Sequence, residues 1–450
     1  MDDVNFRYEL EPHRDYAFID MKSFYASCEL VSRGLHPLRD LLIVMSTADN
    51  TSGLILASSP MAKKILGVRN VARKWDLPTE QENPRVRDLI VAPPRMRYYI
   101  QENLKIQNVV RKYAADEDIM WYSIDEGVVD LTASLNYFVP DKNLSRAQKL
   151  DIVSQRIQQD ILRVTGIFST VGMSNSNPLL AKLALDNEAK HNHNMRALWN
   201  YEDVPTKVWS IPELDDFWGI GSRMKRNLEF MNIKSIKDLA HASPERLHRK
   251  FGIMGLQLYH HANGIDRSRL QKPYIPKRRN IGNSQVLPRD YAGYEMPLLI
   301  REMAEQVAIR LRRRGAKTTT VHLFIGYSKD EGKKGFSRQT KVPATDDTKL
   351  LAEHLLFLFN KFYDGRSFMR HIGVTYSDLV YNGGDQLDLF EDPTDQEKRV
   401  KIDKAMDLIR EKYGFVSIVR ASSTLESGRS IKRAGLVGGH NGGAGGLDGL

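Results

Sequence analysis

Short apolar runs alternate with amphipathic stretches over the first 200 residues of the chain. Residues 15–20 and 41–46 are continuous apolar runs typical of buried strands, and residues 23–33 between them predict a short helix. The further predicted elements are a strand at 54–58, a helix at 60–67, a helix at 95–114, two strand-like runs around residue 125, a helix at 144–166, a strand at 167–174 and a helix at 177–190. This alternation predicts one α/β sheet with helices packed on it.

The pattern changes after residue 200. Residues 201–270 predict short helices separated by glycines, and residues 271–282, which are basic and contain prolines, predict a linker. Residues 283–382 predict the order strand, helix, strand, strand, helix, strand. From residue 383 onward we expect a tail with one charged helix near 394–413 and a glycine-rich end. The chain is therefore predicted to have several domains.

Composition and net charge indicate the type of partner and the cellular compartment. The 450 residues carry a formal net charge of +10, which favours a polyanionic partner. The single cysteine, Cys28, excludes an internal disulfide and fits a reducing compartment. No apolar run is long enough to span a membrane, and the amino terminus is polar and acidic. We therefore expect a cytoplasmic protein without membrane contact.

Two acidic segments suggest chemistry. Asp20 ends the first apolar strand, and Asp125 with Glu126 lies between two strand-like runs. Strands that bring carboxylates to one place make a site for Mg²⁺, and two such ions about 3.5–4 Å apart would support nucleotidyl transfer. Adjacent residues of an ideal strand point to opposite faces, so Glu126 joins Asp125 only if the chain bends, which Gly127 permits. An ordinary hairpin turn at 125–127 would explain the same residues.

The order of the motifs resolves this choice. DMKSFYASCE (20–29), SIDEG (123–127) and FSTVGMSNSNPLLAKLAL (168–185) resemble three successive motifs of the Y-family translesion DNA polymerases. FYASCE and the long carboxyl-terminal extension resemble the bacterial UmuC-like (ImpB/MucB/SamB-type) branch. The resemblance implies a multi-domain α+β fold shaped like a right hand. Its parts would be a palm (1–30 and 85–200), small fingers (31–84), a helical thumb (201–270), the linker, an α/β little finger (283–382) and the tail (383–450).

The resemblance also implies an activity. Such a chain would be a DNA-directed DNA polymerase that copies damaged template with low fidelity in DNA repair and the SOS response. Asp20, Asp125 and Glu126 would be catalytic and would hold two Mg²⁺ ions together with the main-chain carbonyl of Met21. The substrates would be primer-template DNA and deoxynucleoside triphosphates. Two alternatives remain open: a non-catalytic DNA-binding relative with a regulatory role, and another two-metal chemistry such as nucleotide cyclisation.

Contacts to the nucleotide follow from the same comparison. Phe24 and Tyr25 lie at the nucleotide, and Tyr25 matches the steric gate that leaves no room for a ribose 2′-hydroxyl. Lys64, its neighbour Lys63, and Lys190 match positions that contact the triphosphate, although solvated surface lysines would look the same. Many members carry a second acid where this chain has Lys22. We expect activity nonetheless, because all three carboxylates are present.

Two basic regions are predicted to bind the DNA backbone. FWGIGSRMKRNL (217–228) resembles a helix–hairpin–helix, in which Gly219 and Gly221 let the main chain approach phosphates and Arg223 and Lys225 add charge. Within residues 310–341 nearly all charges are positive, which predicts a little-finger sheet with a basic face. The residues expected to contact DNA there are Arg312, Arg314, Lys333, Lys334, Arg338 and Lys341.

The tail contains a docking peptide. QLDLF, which comprises Gln386, Leu387, Asp388, Leu389 and Phe390, resembles the peptide that bacterial polymerases insert into the sliding clamp. Its apolar side chains would fill a pocket, and Gln386 would bond at the rim. Packing on its own domain is the other reading. UmuC-like relatives often need accessory subunits and a recombinase filament, and the sequence leaves open whether this chain does.

Overall fold

The computed structural model describes residues 6–46, 53–68, 71–272, 275–276, 279–381, 393–437 and 440–441. The elements before residue 200 are β1 (Tyr16–Met21), α1 (Phe24–Val31), β2 (Leu42–Ser46), β3 (Leu54–Ser58), α2 (Pro60–Leu66), β4 (Ile90–Ala92), α3 (Met96–Val110), β5 (Ile119–Trp121), β6 (Glu126–Asp130), α4 (Leu135–Phe138), α5 (Arg146–Thr165), β7 (Ser169–Ser174), α6 (Pro178–Ala184) and β8 (Arg196–Leu198). The predicted alternation of strands and helices is confirmed, but the strands form two separate sheets and not the single sheet that the alternation predicted.

The palm is a five-stranded sheet in the order β5-β6-β1-β7-β8, with β1 antiparallel to both neighbours. Successive residues of β1 belong to two different hydrophobic clusters. Ala17 and Ile19 pack with α3 and α5, whereas Tyr16 and Phe18 pack with α6 and the thumb. Because side chains alternate along a strand, the next even position, Asp20, is directed to the α6 side of the sheet.

The fingers are small. They contain a three-stranded sheet, β3-β2-β4, and the short helix α2 over a core of few residues, among them Ile43, Ile55 and Ala62. β4 pairs with β2 in parallel. The small sheet therefore continues past residue 84, where we had placed the end of the fingers.

The thumb consists of α7 (Ser222–Glu229), α8 (Ile236–Ala240), α9 (Pro244–Phe251) and α10 (Ile253–Ala262). Its Leu228, Leu239 and Leu258 belong to the hydrophobic cluster that contains Phe18 of β1. The thumb is thus continuous with the α6 side of the palm, the side to which Asp20 is directed.

The little finger has the predicted order of elements: β9 (Ile281–Tyr291), α11 (Met296–Arg313), β10 (Ala316–Tyr327), β11 (Phe336–Thr345), α12 (Thr348–Phe362) and β12 (Met369–Tyr381). The strands form an antiparallel sheet in the order β11-β10-β12-β9. Helices α11 and α12 bury their apolar sides against it. β9 begins at Ile281, inside the stretch predicted as a linker.

The tail packs against the little finger. It contains α13 (Pro393–Tyr413), α14 (Ser430–Ala434), β13 (Leu436–Val437) and β14 (His440–Asn441), and α13 confirms the helix predicted near 394–413. Glu302 of α11 accepts hydrogen bonds from the main-chain N–H groups of Arg429 and Ser430 and from the Ser430 hydroxyl. Farther on, Val437 belongs to the palm cluster of Ala17. The tail thus contacts the little finger and the palm.

A buried ion cluster holds α13 on α11. Arg312 donates through Nε to Asp407 at 2.6 Å and through Nη1 to Asp403 at 3.1 Å, and its side chain is 9% exposed. Arg410 of α13 pairs with Glu305 of α11 at 3.4 Å.

No helix among the described residues is long and apolar enough to cross a membrane.

Removing the central cation of this cluster tests the docking of the tail. Arg312→Ala is expected to lower the free energy of unfolding of this region by about 3–5 kcal/mol, because two largely buried carboxylates lose their partner. Thermal unfolding of the full chain measures this, with Arg313→Ala at the neighbouring exposed position as the matched control. Equal melting of the two variants would contradict the arrangement.

Candidate active site

Strand pairing places two of the three predicted catalytic acids side by side. β6 runs antiparallel to β1 with Asp20 directly opposite Glu126. Directly opposed residues of an antiparallel pair point to the same face. Phe18 and Val128, two positions away on each strand, both lie in the cluster on the α6 side. Asp20 and Glu126 therefore share the α6 side of the sheet.

Asp125 joins them through a bend in the chain. β6 begins only at Glu126, and residues 123–125 form a bend before it. The Asp125 carbonyl accepts a hydrogen bond from the Met21 N–H at 2.9 Å, and its carboxylate accepts one from the Ser123 hydroxyl at 2.7 Å. The chain bends as the shared site requires, over residues 123–125, which overlap the stretch 124–127 where the bend is expected.

Gly127 has another role. It lies directly opposite Trp121 of β5, and a Cβ at Gly127 would come within 2.9 Å of the Trp121 ring. The missing side chain lets the indole lie flat against β6. This packing fixes the strand one residue after Glu126.

Two lysines on the helix opposite the sheet pair with the acids. Lys182 of α6 pairs with Glu126 and also lies 3.2 Å from Asp186. Lys190, just beyond a π-helical turn at Leu185–Ala189, lies 2.9 Å from both Asp20 and Asp186. The helix therefore presents a cation to each of the two opposed carboxylates.

Burial disfavours the charged form of Asp20 and Glu126 more strongly than the neighbouring lysines favour it. Burial raises the pKa of Asp20 although Lys190 opposes the shift, and the nearby charge of Asp125 raises it further. Burial likewise raises the pKa of Glu126 although Lys182 opposes the shift. Burial opposes the charge of Lys190, but Asp20 and Asp186 outweigh it and raise the pKa of this lysine.

The donor set fits a hard divalent cation. Carboxylate oxygens are the preferred ligands of such ions, and Asp20 lies close enough to Asp125 and Glu126 for the charge of Asp125 to raise the pKa of Asp20 and that of Asp20 to raise the pKa of Glu126. Within the described ranges, no three acidic, histidine or cysteine side chains are already arranged around a metal position. The lysine contacts of Asp20 and Glu126 engage carboxylate oxygens that a metal ion would use.

Phe24 and Tyr25, both predicted to lie at the nucleotide, have different environments. Phe24 is 2% exposed in the palm core, which corrects its prediction as a side chain that contacts the nucleotide. Tyr25 is half-buried and stacks on Tyr99, with ring centroids 4.5 Å apart. Burial raises the pKa of Tyr25 to about 12, and the charge of Asp125 adds to this shift, so the phenol is near the acids. This placement suits a steric gate.

A network behind Tyr25 escaped the sequence analysis. The Tyr99 hydroxyl donates to Glu29 at 2.8 Å, and Arg95 donates to the same carboxylate at 2.8 and 2.9 Å. Glu29 and Tyr99 are fully buried. Only the helical spacing of Tyr25 and Glu29 pointed to a shared face, since Tyr99 comes from another helix.

Lys63 of α2 lies within electrostatic range of Asp20. Partial desolvation lowers the pKa of Lys63, and the charges of Asp20, Lys22 and Lys190 also act on it. Lys63 and Lys64 are both exposed, and Lys64 lies about 100° farther around the helix. Lys182 was not predicted, although the spacing of Lys182, Asp186 and Lys190 is typical of one helix face.

The thumb hairpin keeps its open main chain. Gly219 has φ of 98°, and Gly221 precedes α7 with nothing within 4 Å of where its Cβ would lie. The preceding element is a single 3-10 turn, Leu214–Asp216, and not a full helix. Arg223 is exposed, whereas Lys225 pairs with Glu213 and Asp215 at 2.6 and 2.8 Å. A cavity of about 750 Å³ separates this hairpin from the end of the α6 helix at Asp186.

The predicted basic face of the little finger is not a single face. Arg312 is buried against the tail, so its prediction as a DNA contact is wrong. Arg338 is opposite Leu323 of the core and lies over the Phe362 ring, whereas Lys341 is opposite Thr320 and pairs with Asp378. Residues three apart on a strand point to opposite sides.

The other predicted basic residues lie outside the strands. Lys333 pairs with Asp364, and Lys334 and Arg314 are exposed in loops. The outer side of the sheet instead carries polar groups that the charge count missed, including His322, Ser337, Gln339 and Thr375. The peptide at 386–390 lies outside the described residues.

Comparison with known proteins identifies the family to which the chain belongs. The sequence model of the impB/mucB/samB family matches residues 19–186, and that of its C-terminal domain matches residues 278–389. The chain is 39% identical over 96% of its length to UvrX, a Bacillus subtilis (strain 168) protein assigned to UV-damage repair, and covers 99% of it. The chain belongs to the impB/mucB/samB family. It is 33% identical to DNA polymerase IV 2 of the same organism, over 94% of this chain and 97% of that one.

Two further matches bear on the thumb and the fold. A model described as the thumb domain of DNA polymerase iota matches residues 215–266. A solved Y-family DNA polymerase chimera of Dbh and Dpo4 aligns with 82% of this chain and all of its own, with a TM-score of 0.61 at 22% identity, a likeness of fold. On the family models and the relatives above, this impB/mucB/samB protein is a UmuC-like Y-family polymerase. The predicted family, fold class and enzyme class, a DNA-directed DNA polymerase of the translesion type, are confirmed.

The contact between Gly127 and Trp121 gives a test of the site. Gly127→Ala is expected to push the indole away, shift the start of β6 and Glu126, and destabilise the palm by about 1–3 kcal/mol. The rate of primer extension and the midpoint temperature of thermal unfolding should both fall. Gly435→Ala, where a Cβ meets nothing within 4 Å, is the control. Normal extension by Gly127→Ala would contradict the role given to this packing.

Proposed function

We propose that Asp20, Asp125 and Glu126 are the catalytic acids of this polymerase and that they hold two Mg²⁺ ions together with the main-chain carbonyl of Met21. The observation that supports this most is the direct pairing of Asp20 with Glu126 on one side of the sheet. When bound, such ions activate the primer 3′-hydroxyl and stabilise charge on the leaving phosphates. The family membership of the chain favours this reading over nucleotide cyclisation.

The lysines near the acids would exchange partners. Lys190 would turn from Asp20 to the triphosphate. Lys63, and its exposed neighbour Lys64 on α2, would approach the triphosphate from the fingers. A lysine offers a point charge and not a bidentate fork, which suits phosphate oxygens that shift during the reaction. Asp20 and Glu126 would then lose their lysine contacts at the same time as the cations and the nucleotide bind.

The main test is primer extension by the full chain with Mg²⁺ and deoxynucleotides on undamaged and abasic templates. Glu126→Gln keeps the size of the side chain but removes its charge, so extension should fall by about a hundredfold or more. Lys112→Met, at an exposed position outside the site, should extend like the wild type.

The outcome tests both the enzyme class and the assignment of the acids. Extension by the wild type and its loss in Glu126→Gln support a two-metal polymerase, and passage of the abasic site supports lesion bypass. A wild type that binds primer-template tightly without extending it would instead favour the non-catalytic relative. Undiminished extension by Glu126→Gln would remove that residue from the catalytic set.

We also propose that Tyr25 selects deoxyribose. Its half-buried ring is held by Tyr99 beside Asp125, where the sugar of a nucleotide bound to the acids would lie. Tyr25→Ala should raise the incorporation of ribonucleotides relative to deoxynucleotides about tenfold or more, because the space for a 2′-hydroxyl opens.

Single-nucleotide kinetics with matched ribo- and deoxynucleotides measures this ratio. Tyr137→Ala, which removes an 81% exposed tyrosine, is the control. A ratio unchanged in Tyr25→Ala would refute the gate without affecting the assignment of the acids.

DNA is proposed to lie between the thumb and the little finger. The open main chain at Gly219 and Gly221, with Arg223, would contact phosphates, and Arg314 and Lys334 would add positive charge. Lys225, Lys333 and Lys341 are paired with carboxylates, which offset part of their charge, and Arg338 lies over the Phe362 ring with N–H groups available to phosphates. Main-chain and phosphate contacts suit an enzyme that accepts any template sequence.

The QLDLF peptide is proposed to bind a bacterial sliding clamp. The double variant Leu389→Ala, Phe390→Ala should abolish clamp binding and clamp-stimulated extension, because both apolar anchors are lost. Extension without clamp should be unchanged. Binding to purified clamp by calorimetry measures the effect, with Asp388→Ala as the control, and clamp affinity that survives the double variant would contradict this proposal.

A further inference from the structure

Lys22 occupies the position at which the first motif of the chain departs from its family. Its main chain is held on both sides of the turn between β1 and α1. The Lys22 N–H donates to the Phe168 carbonyl at 2.8 Å, and its own carbonyl accepts from the Ser27 hydroxyl at 2.6 Å. The next residue, Ser23, has a left-handed conformation with φ of 47°. The main chain of Lys22, two residues after Asp20, is therefore held in place, and its side chain starts from a fixed position.

That side chain crosses from the sheet to the helix. Lys22 Nζ donates a hydrogen bond to the main-chain carbonyl of Lys190 at 3.0 Å. Lys190 closes the turn at Leu185–Ala189, where its N–H bonds to the Leu185 carbonyl. Carbonyls at the end of a helix lack partners within the helix and carry partial negative charge, so a cation there is favourable.

A second lysine contact joins the same two elements, this time from the helix end to β1. Lys190 Nζ reaches back to Asp20 at 2.9 Å, on the strand from which Lys22 departs. Two lysines thus cross between β1 and the helix end, one bonded to main chain and one to a carboxylate. An acid at position 22 could not donate to the Lys190 carbonyl and would add a negative charge beside Asp20.

We propose that Lys22 is a positioning residue that fixes the end of the α6 helix and thereby aims the Lys190 ammonium at the site of the triphosphate. This rests on the proposed function, in which Lys190 contacts that triphosphate. Lys22 bonds to the main chain of Lys190, so it keeps its own contact when the Lys190 side chain leaves Asp20 for the nucleotide. It acts on the nucleotide only through Lys190.

A double-variant cycle tests this dependence. Lys22→Met should raise the KM for the incoming deoxynucleotide about tenfold with a smaller effect on kcat, since a hydrogen bond from a charged donor is lost. Lys190→Met should raise KM at least as much. If Lys22 acts only through Lys190, the double variant should match Lys190→Met alone. Lys22→Arg, which can still donate, should restore most of the affinity.

Nucleotide binding without turnover gives a second readout. The affinity of each variant for the next correct deoxynucleotide is measured on primer-template whose primer ends in a dideoxynucleotide, with Lys112→Met as control and thermal unfolding to verify the fold. Losses that multiply in the double variant would show that Lys22 contacts the nucleotide itself, and would overturn the proposal. Unchanged affinity in Lys22→Met would overturn it as well. Failure of the wild type to extend primers would refute the proposed function instead.

Discussion

The pairing of β1 with β6 and β7 is the constraint on which the rest of the site depends. β1 is the central strand of the palm, and its side chains alternate between a cluster with α3 and α5 and a cluster with α6 and the thumb. A shift of one residue would exchange these two faces along the whole strand and move Asp20 away from Glu126. The register that buries the two cores is therefore the register that assembles the carboxylates.

Charge balance is the second feature of the site. Its carboxylates are Asp20, Asp125, Glu126 and Asp186, and its lysines are Lys22, Lys63, Lys182 and Lys190. The lysines offset the acids in the ligand-free chain, which burial would otherwise make costly. Divalent ions and a triphosphate bring nearly equal and opposite charge, so they can replace the lysine–carboxylate contacts without leaving a buried charge unbalanced. A site built in this way favours binding of both together.

The sequence alone predicted much of the fold. The order of strands and helices followed from periodicity, and Asp20 and Glu126 were found because their motifs keep family order. The bend at 123–125 and the packing of Trp121 on Gly127 depend on cross-strand contacts that local pattern does not contain. Arg312 was misassigned because the acids that bury it come from α13, about ninety residues later in the chain. Arg338 and Lys341 could have been separated by the period of two along a strand, a signal that the net charge obscured.

The most direct test of the central claim is to count the metal ions that the acids hold. Mn²⁺ can replace Mg²⁺ in a complex of the full chain with dideoxy-terminated primer-template and the matching deoxynucleotide, and electron paramagnetic resonance reports both the number of ions and their coupling. A two-metal site predicts two Mn²⁺ ions per chain, coupled as expected for a separation of about 3.5–4 Å, and loss of the coupled pair in Glu126→Gln. A single uncoupled ion, or a coupled pair that persists in Glu126→Gln, would contradict it.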